Sequence, residues 1–167
     1  MSEETLGSAR LLVFRVGALA CAAEVDQVRE ILPRLPTTRI PGAPSVVAGL
    51  VNVRGTLVTV VEGWRALGQA APPAAPPTTG HATEPQELQG STIILELGGD
   101  GDNGAHRLIG FTVDEVVDML AGGDTVLEDR QGLPGVDRTL VRAVGRRNGE
   151  LIVVLDVAAL LGPILTT

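Results

Sequence analysis

Four groups of side chains in this 167-residue chain have the types and spacing for chemistry. They are His81 and His106, the lone Cys21, the acidic run Asp114, Glu115 and Asp118, and the polar pair Asn52 and Arg54 inside the apolar stretch GLVNVRGTLVTVV (49–61). An enzyme needs a nucleophile beside a base, carboxylates facing one cleft, or a metal. The histidines do not supply it. His81 sits in the Pro-rich stretch 68–90 and His106 at the edge of GGDGDNGAH (98–106), where no rigid neighbour orients an imidazole. Cys21 lies in LACAA (19–23), a small-residue strand in which a free thiol packs as a small hydrophobe.

The acids read as a solvated strand end, with acid–base or metal work at Asp114, Glu115 and Asp118 kept as the alternative. Asp100, Asp102 and Asn103 are oxygen donors, but the twelve-residue calcium loop needs further ligands and a closing Glu that are missing here. No GxGxxG follows a strand and opens a helix, and a chain without lysine cannot hold GxxxxGK[ST]. We therefore expect no catalytic residue, no metal and no cofactor.

Asn52 and Arg54 remain. Residues two apart on a strand share a face, and Arg54 stands directly before Gly55, the residue that permits a tight turn. At a hairpin tip, a guanidinium offers five donors in one plane to a carboxylate or to carbonyls. Those acceptors belong either to another macromolecule or to the chain's own fold, and both readings stand at this point.

The elements that position this pair are short and aliphatic. Hydrophobic residues make up 44% and aromatics 2%, with no Tyr, one Trp and two Phe, so the core is built from Val, Leu, Ile and Ala and offers no stacking platforms for single-stranded nucleic acid. Net charge is −7 and all 13 basic residues are Arg. Residues 1–68 carry +1 and residues 69–167 carry −8, which argues against nucleic acid and anionic membrane surfaces as partners. One cysteine excludes an internal disulfide. The acidic N-terminus MSEETLGSAR differs from a secretory signal, and no apolar run approaches the roughly 20 residues of a membrane span, so the expected address is the cytoplasm without direct membrane insertion.

Along the chain, RLLVFRV (10–16) and LACAA (19–23) flank a Gly17-Ala18 turn; GLVNV (49–53) and TLVTVV (56–61) flank Arg54-Gly55; TLVRAVGRR (139–147) and ELIVVLD (150–156) flank Asn148-Gly149. STIILEL (91–97) and HRLIGFTVDEV (106–116) read as two further strands. EVDQVREIL (24–32) suits a helix face or a strand. DVAALLG (156–162) predicts a short helix capped by Asp156 and stopped at Gly162-Pro163. The pattern is all-β with minor helix, in two lobes joined by a Pro-rich linker (69–90), with 98–106 as an enlarged hairpin loop.

The string RIPGAPSVVAGLVNVRGTLVTVV (39–61) resembles the CheW-like adaptor family of bacterial chemosensory systems, whose hallmark is a proline-bearing loop, an apolar segment, a Gly and an Asn-x-Arg-Gly hairpin. VREIL (28–32), LIGFTVDEVVDML (108–120) and GRRNGELIVVLDVAALL (145–161) are similar to further elements of that family in the same order. The resemblance covers about residues 10–162. It implies two intertwined five-stranded SH3-like β-barrel lobes, makes 28–32 a strand, and implies a non-catalytic scaffold. The boundaries expected are a disordered 1–9, lobe 1 at about 18–68, the linker at 69–90 and lobe 2 at about 91–155, with the first strand and C-terminal helix completing the lobes.

The partners implied are the regulatory domain of a CheA-type histidine kinase and the cytoplasmic tip of a methyl-accepting chemoreceptor. The partner-binding residues carried over are Arg54, Asn52, Gly49, Val28 and Glu30, although Gly49 also suits backbone geometry alone and Val28 also suits the core. Thr59, Glu62-Gly63 and Trp64 depart from the family pattern. An adaptor of a pilus-linked or developmental pathway, and a small-molecule-binding two-lobed barrel, are the alternatives.

Overall fold

The computed structural model describes residues 10–70, 90–98, 107–121, 126–128, 138–147 and 149–165. Residues 1–9, most of the Pro-rich linker, the body of the 98–106 loop, His81, His106 and Asn148 lie outside them. The strands are β1 (Arg10–Val16), β2 (Leu19–Glu24), β3 (Val28–Pro33), β4 (Val47–Val53), β5 (Thr56–Glu62), β6 (Ser91–Leu97), β7 (Arg107–Val113), β8 (Glu115–Ala121), β9 (Val126–Glu128), β10 (Val141–Arg147) and β11 (Glu150–Leu155). A one-turn helix α1 (Gly63–Ala66) follows β5, and α2 (Val157–Leu165) ends the chain. No helix among the described residues is long and apolar enough to cross a membrane.

The strands form two sheets, in the orders β8-β1-β2-β11-β10-β9 and β3-β6-β7-β5-β4. The all-β, two-lobed architecture is as expected. The first sheet has six strands where five were expected, because the three-residue β9 pairs with β10 through Val144↔Glu128 to Arg146↔Val126. Neither hydrogen-bonded ladder closes into a ring among the described residues.

Sheet membership also cuts the chain differently from the ranges 18–68 and 91–155. β2 belongs with β8–β11, and β6 and β7 belong with β3–β5. Two parallel pairings make this interleaving: β2 with β11 (Cys21↔Val153) and β5 with β7 (Val60↔Gly110). Hydrophobic alternation identifies strands but carries no information on which distant strand each will meet.

Three apolar clusters explain the continuous apolar runs. In β1, Leu11 and Val13 join Ala20, Ala22, Leu120, Ile152 and Val154 within the six-stranded sheet, while Leu12, Phe14 and Val16 face the other way. Those opposite faces meet Ile93, Ile109, Phe111 and Leu161 in the large core shared by both sheets, where Phe14 and Phe111 pack edge to face at 6.1 Å. A third cluster, Val51, Val58, Val60 and Ile94 with Leu32 and Val53 beside it, fills the five-stranded sheet. A strand buried on both faces cannot alternate polar with apolar.

The stretch expected as one strand at 106–116 is two. The chain bends at Asp114, where it leaves β7 in one sheet and enters β8 in the other. Asp156 caps α2 as expected, its Oδ1 accepting from the Ala159 N–H at 3.1 Å. The helix does not stop at Gly162-Pro163 but runs to Leu165, because Gly162 keeps a right-handed backbone instead of the positive φ that ends helices.

Candidate functional site

The β4–β5 turn is a two-residue loop with positive φ at both positions, 51° at Arg54 and 87° at Gly55. This mirror-image turn matches the right-handed twist of the flanking strands. Arg54 is the one non-glycine residue with positive φ among those described, a conformation that costs about 1–2 kcal/mol for a residue with a Cβ. Asn52 offsets part of that cost, since its Oδ1 accepts the Gly55 N–H at 2.8 Å. Asn52 therefore braces the turn from inside rather than standing beside Arg54 as a second free donor.

Arg54 reaches Glu30 on β3. Its Nη1 donates to Oε2 at 2.9 Å and its Nη2 to Oε1, a two-pronged clasp. β3 and β4 are opposite edges of their sheet, so this contact means that the sheet curls until its edges meet at the hairpin tip. The guanidinium is tied to its own chain, and the Arg54 side chain nevertheless remains 77% exposed.

The other residues expected at the site fall into two classes. Glu30 is half-buried and Val28 packs against the large shared core. Gly49 is buried at a β-bulge with φ 152°, and a Cβ there would stand 2.3 Å from the Thr38 carbonyl oxygen. That close approach exists because Thr38 and Leu50 exchange both backbone hydrogen bonds at 2.8 Å, laying the preceding loop along the β4 edge. Gly49 and Val28 thus shape the surface from beneath, whereas Arg54, Asn52 and Glu30 are at its top.

Two apolar residues escape a reading by residue type. Leu57, opposite Asn52 in the β4–β5 register, is 68% exposed, and Ile31, next to Glu30, is 43% exposed. The signal was present in period: Leu57 alternates with the buried Val58, and Ile31 with the half-buried Glu30 and Leu32. It is masked because both faces carry aliphatic side chains.

The acidic run does not converge. Asp114 Oδ2 accepts the Gly17 N–H at 2.7 Å, clasping the β1–β2 turn, and Asp118 Oδ1 accepts the Met119 N–H at 2.7 Å. Among the described residues no three His, Cys, Asp or Glu side chains are grouped to hold a metal ion. Cys21 is fully buried, and burial pushes its thiol up to about 12.

The family model for the CheW-like domain matches residues 10–163. The chain is 30% identical over 156 residues to the chemotaxis protein CheW of Rhizobium meliloti (strain 1021), spanning 91% of this chain and 86% of that one. It is 23% identical over 164 residues to the chemotaxis protein CheW of Bacillus subtilis (strain 168), spanning 96% and 92%. Its fold is similar to that of the scaffolding protein TtCheW from Thermoanaerobacter tengcongensis, with a TM-score of 0.69 at 17% identity, over 92% of this chain and 88% of that one.

Proposed function

This chain belongs to the CheW-like domain family, and from that premise we propose that it is a non-catalytic adaptor coupling chemoreceptors to a CheA-type histidine kinase in bacterial chemosensory signalling. The observation that carries the reading is the Arg54–Glu30 clasp. It holds a charged hairpin tip in a defined pose at the surface, and the strands that carry it also expose Leu57, opposite Asn52, and Ile31, on the other face of β3 from Glu30. An arginine anchor and exposed apolar side chains are the residue types on which interface energy concentrates. Arg54 spends Nη1 and Nη2 partly on Glu30, and the geometry leaves the outer side of the guanidinium open to an acceptor on a partner. An adaptor transmits signal only through differential affinity for its partners' states, and no residue here needs to transform a substrate.

Arg54→Glu is the test. An exposed ion pair contributes about 0–1 kcal/mol, so the variant keeps its fold and loses little thermal stability. Its association with kinase or receptor in a purified reconstitution falls by about tenfold or more, since removal of an interfacial charge and its hydrogen bonds costs that much. Wild-type affinity for both partners would overturn the assignment of Arg54 as a contact. The swapped pair Arg54→Glu with Glu30→Arg separates the two roles: it rebuilds the tie but restores binding only if Arg54 acts through Glu30 alone.

A further inference from the structure

A second polar cavity lies on the five-stranded lobe. The loop at 39–45, the start of β4 at Val47, and the end of β5 with α1 enclose a cavity of about 330 Å³. Its lining includes three ionisable side chains, Arg39, Glu62 and Arg65. Glu62 is shared: its Oε2 accepts from Arg65 Nε at 2.8 Å, and its Oε1 lies 3.9 Å from Arg34 Nη2. Arg65 and Arg34 thus flank one carboxylate, and Arg39 lines the same cavity, so its wall carries two guanidiniums against one carboxylate in a chain whose net charge is −7.

The arginines differ in their freedom. Arg65 is stacked on Trp64, with its guanidinium carbon 4.6 Å from the ring centroid, and its Nε is paired with Glu62. Its Nε is spent on Glu62, while Nη1 and Nη2 have no partner among the described residues. Arg39 is exposed and likewise has no ion-pair or hydrogen-bond partner among them. A guanidinium fixed in orientation with its fork unused, facing a cavity that a second, unpaired guanidinium also lines, is matched in geometry to a carboxylate.

We propose that this cavity receives an acidic side chain from an extended segment of a protein partner. The charge complementarity argues for the carboxylate. Val47 and Ala48, which belong to the edge strand β4 and also line the cavity, give the apolar contact that a neighbouring residue of such a segment would use. The choice of a protein segment over a free small anion rests on the adaptor reading, whereas the cavity's preference for negative charge does not. The site is separate from the Arg54 hairpin tip, which lies at the other end of β4 and β5.

Trp64 is the only tryptophan and lies under Arg65, so its fluorescence reports on the cavity directly. The experiment titrates the purified full chain at low ionic strength with an end-blocked peptide carrying two glutamates between leucines. Parallel titrations use the glutamine counterpart, succinate and inorganic phosphate. Saturable Trp64 response to the acidic peptide is expected, with binding of the glutamine peptide about tenfold weaker, as a charge-assisted hydrogen-bond pair implies. Arg39→Gln weakens the acidic peptide about fivefold or more and Arg39→Lys less, with unchanged circular dichroism in both.

Absence of saturation, or equal binding of the glutamine peptide, overturns the proposal. Succinate or phosphate binding as tightly as the peptide, with the same dependence on Arg39, overturns the protein segment in favour of a small-anion site. The titration needs neither kinase nor receptor, so its failure is distinguishable from failure of the Arg54→Glu test.

Discussion

The β1–β2 and β4–β5 hairpins, one in each sheet, solve the same local problem in different ways. At the β1–β2 turn, Gly17 takes positive φ and its N–H is held by Asp114, a residue from the bend where the chain passes from one sheet to the other. Asp114 in turn donates its own N–H to the Arg15 carbonyl at 2.8 Å. At the β4–β5 turn, the tip N–H is held by Asn52, three residues away in the same hairpin. The first turn is fastened to a distant part of the chain and so joins the two sheets. In the second, the backbone of the tip is satisfied within the hairpin and the tie to another strand is the exposed Arg54–Glu30 pair of the same sheet, so the side chains at 54 and 57 stay at the surface. A turn whose backbone is braced locally is the one free to present side chains to a partner.

Substitutions can break this contrast, and the largest effect is expected at the base of the second hairpin. Gly49→Ala drives a methyl into the Thr38 carbonyl at a backbone angle that alanine resists, and a loss of about 2–4 kcal/mol is expected in urea unfolding. Association with partners then fails together with the fold, unlike the selective loss in Arg54→Glu. If Gly49→Ala were as stable as wild type yet impaired in binding, Gly49 would be a contact rather than a support.

Next comes Asp114→Ala, which releases the Gly17 N–H and should cost about 1–2 kcal/mol, near the low end for a bond to a charged acceptor because the site is exposed. Asn52→Ala removes a neutral and equally exposed bond, with about 0.5–1 kcal/mol expected from chemical denaturation. A larger loss for Asn52 than for Asp114 would invert the comparison.

The smallest effect at neutral pH concerns Cys21, buried within β2 of the first hairpin. Its folded pKa is raised from 9.0 to about 12 by burial, so the protonated thiol is favoured in the fold. That contribution is fully present below pH 9 and declines as pH rises from 9 toward 12, where the unfolded chain ionises first. Denaturation at alkaline pH should therefore steepen in wild type and less so in Cys21→Ala, and a thiol reagent at pH 8 should label Cys21 only after unfolding.

Much of this was legible in the residues. Gly17-Ala18 and Arg54-Gly55 announced their turns because positive φ has a short list of tolerant residues. The aliphatic runs of β1, β6 and β11 announced strands buried on both sides. What stayed hidden depends on distance along the chain. The Arg54–Glu30 clasp joins residues 24 positions apart and exists only because the sheet curls. Asp114 and Glu115 interrupt the apolar pattern and mark a strand end, but nothing local marks that end as the place where the chain changes sheets. The cavity at Arg39 and Arg65 required knowing which arginines had found partners, and ion pairing leaves no trace in spacing.

The parallel pairing of β2 with β11 has a temporal consequence. Ala20 and Cys21 wait for Ile152 and Val153, 132 positions further along the chain, whereas every strand of the five-stranded sheet lies between residues 28 and 113. As the polypeptide leaves the ribosome, the middle lobe can assemble and β8 can reach β1 while the outer edge of β2 still lacks its neighbour β11, leaving an apolar strand edge open. High contact order of this kind slows the last step and favours aggregation, so maturation is completed only once the final hairpin has been synthesised.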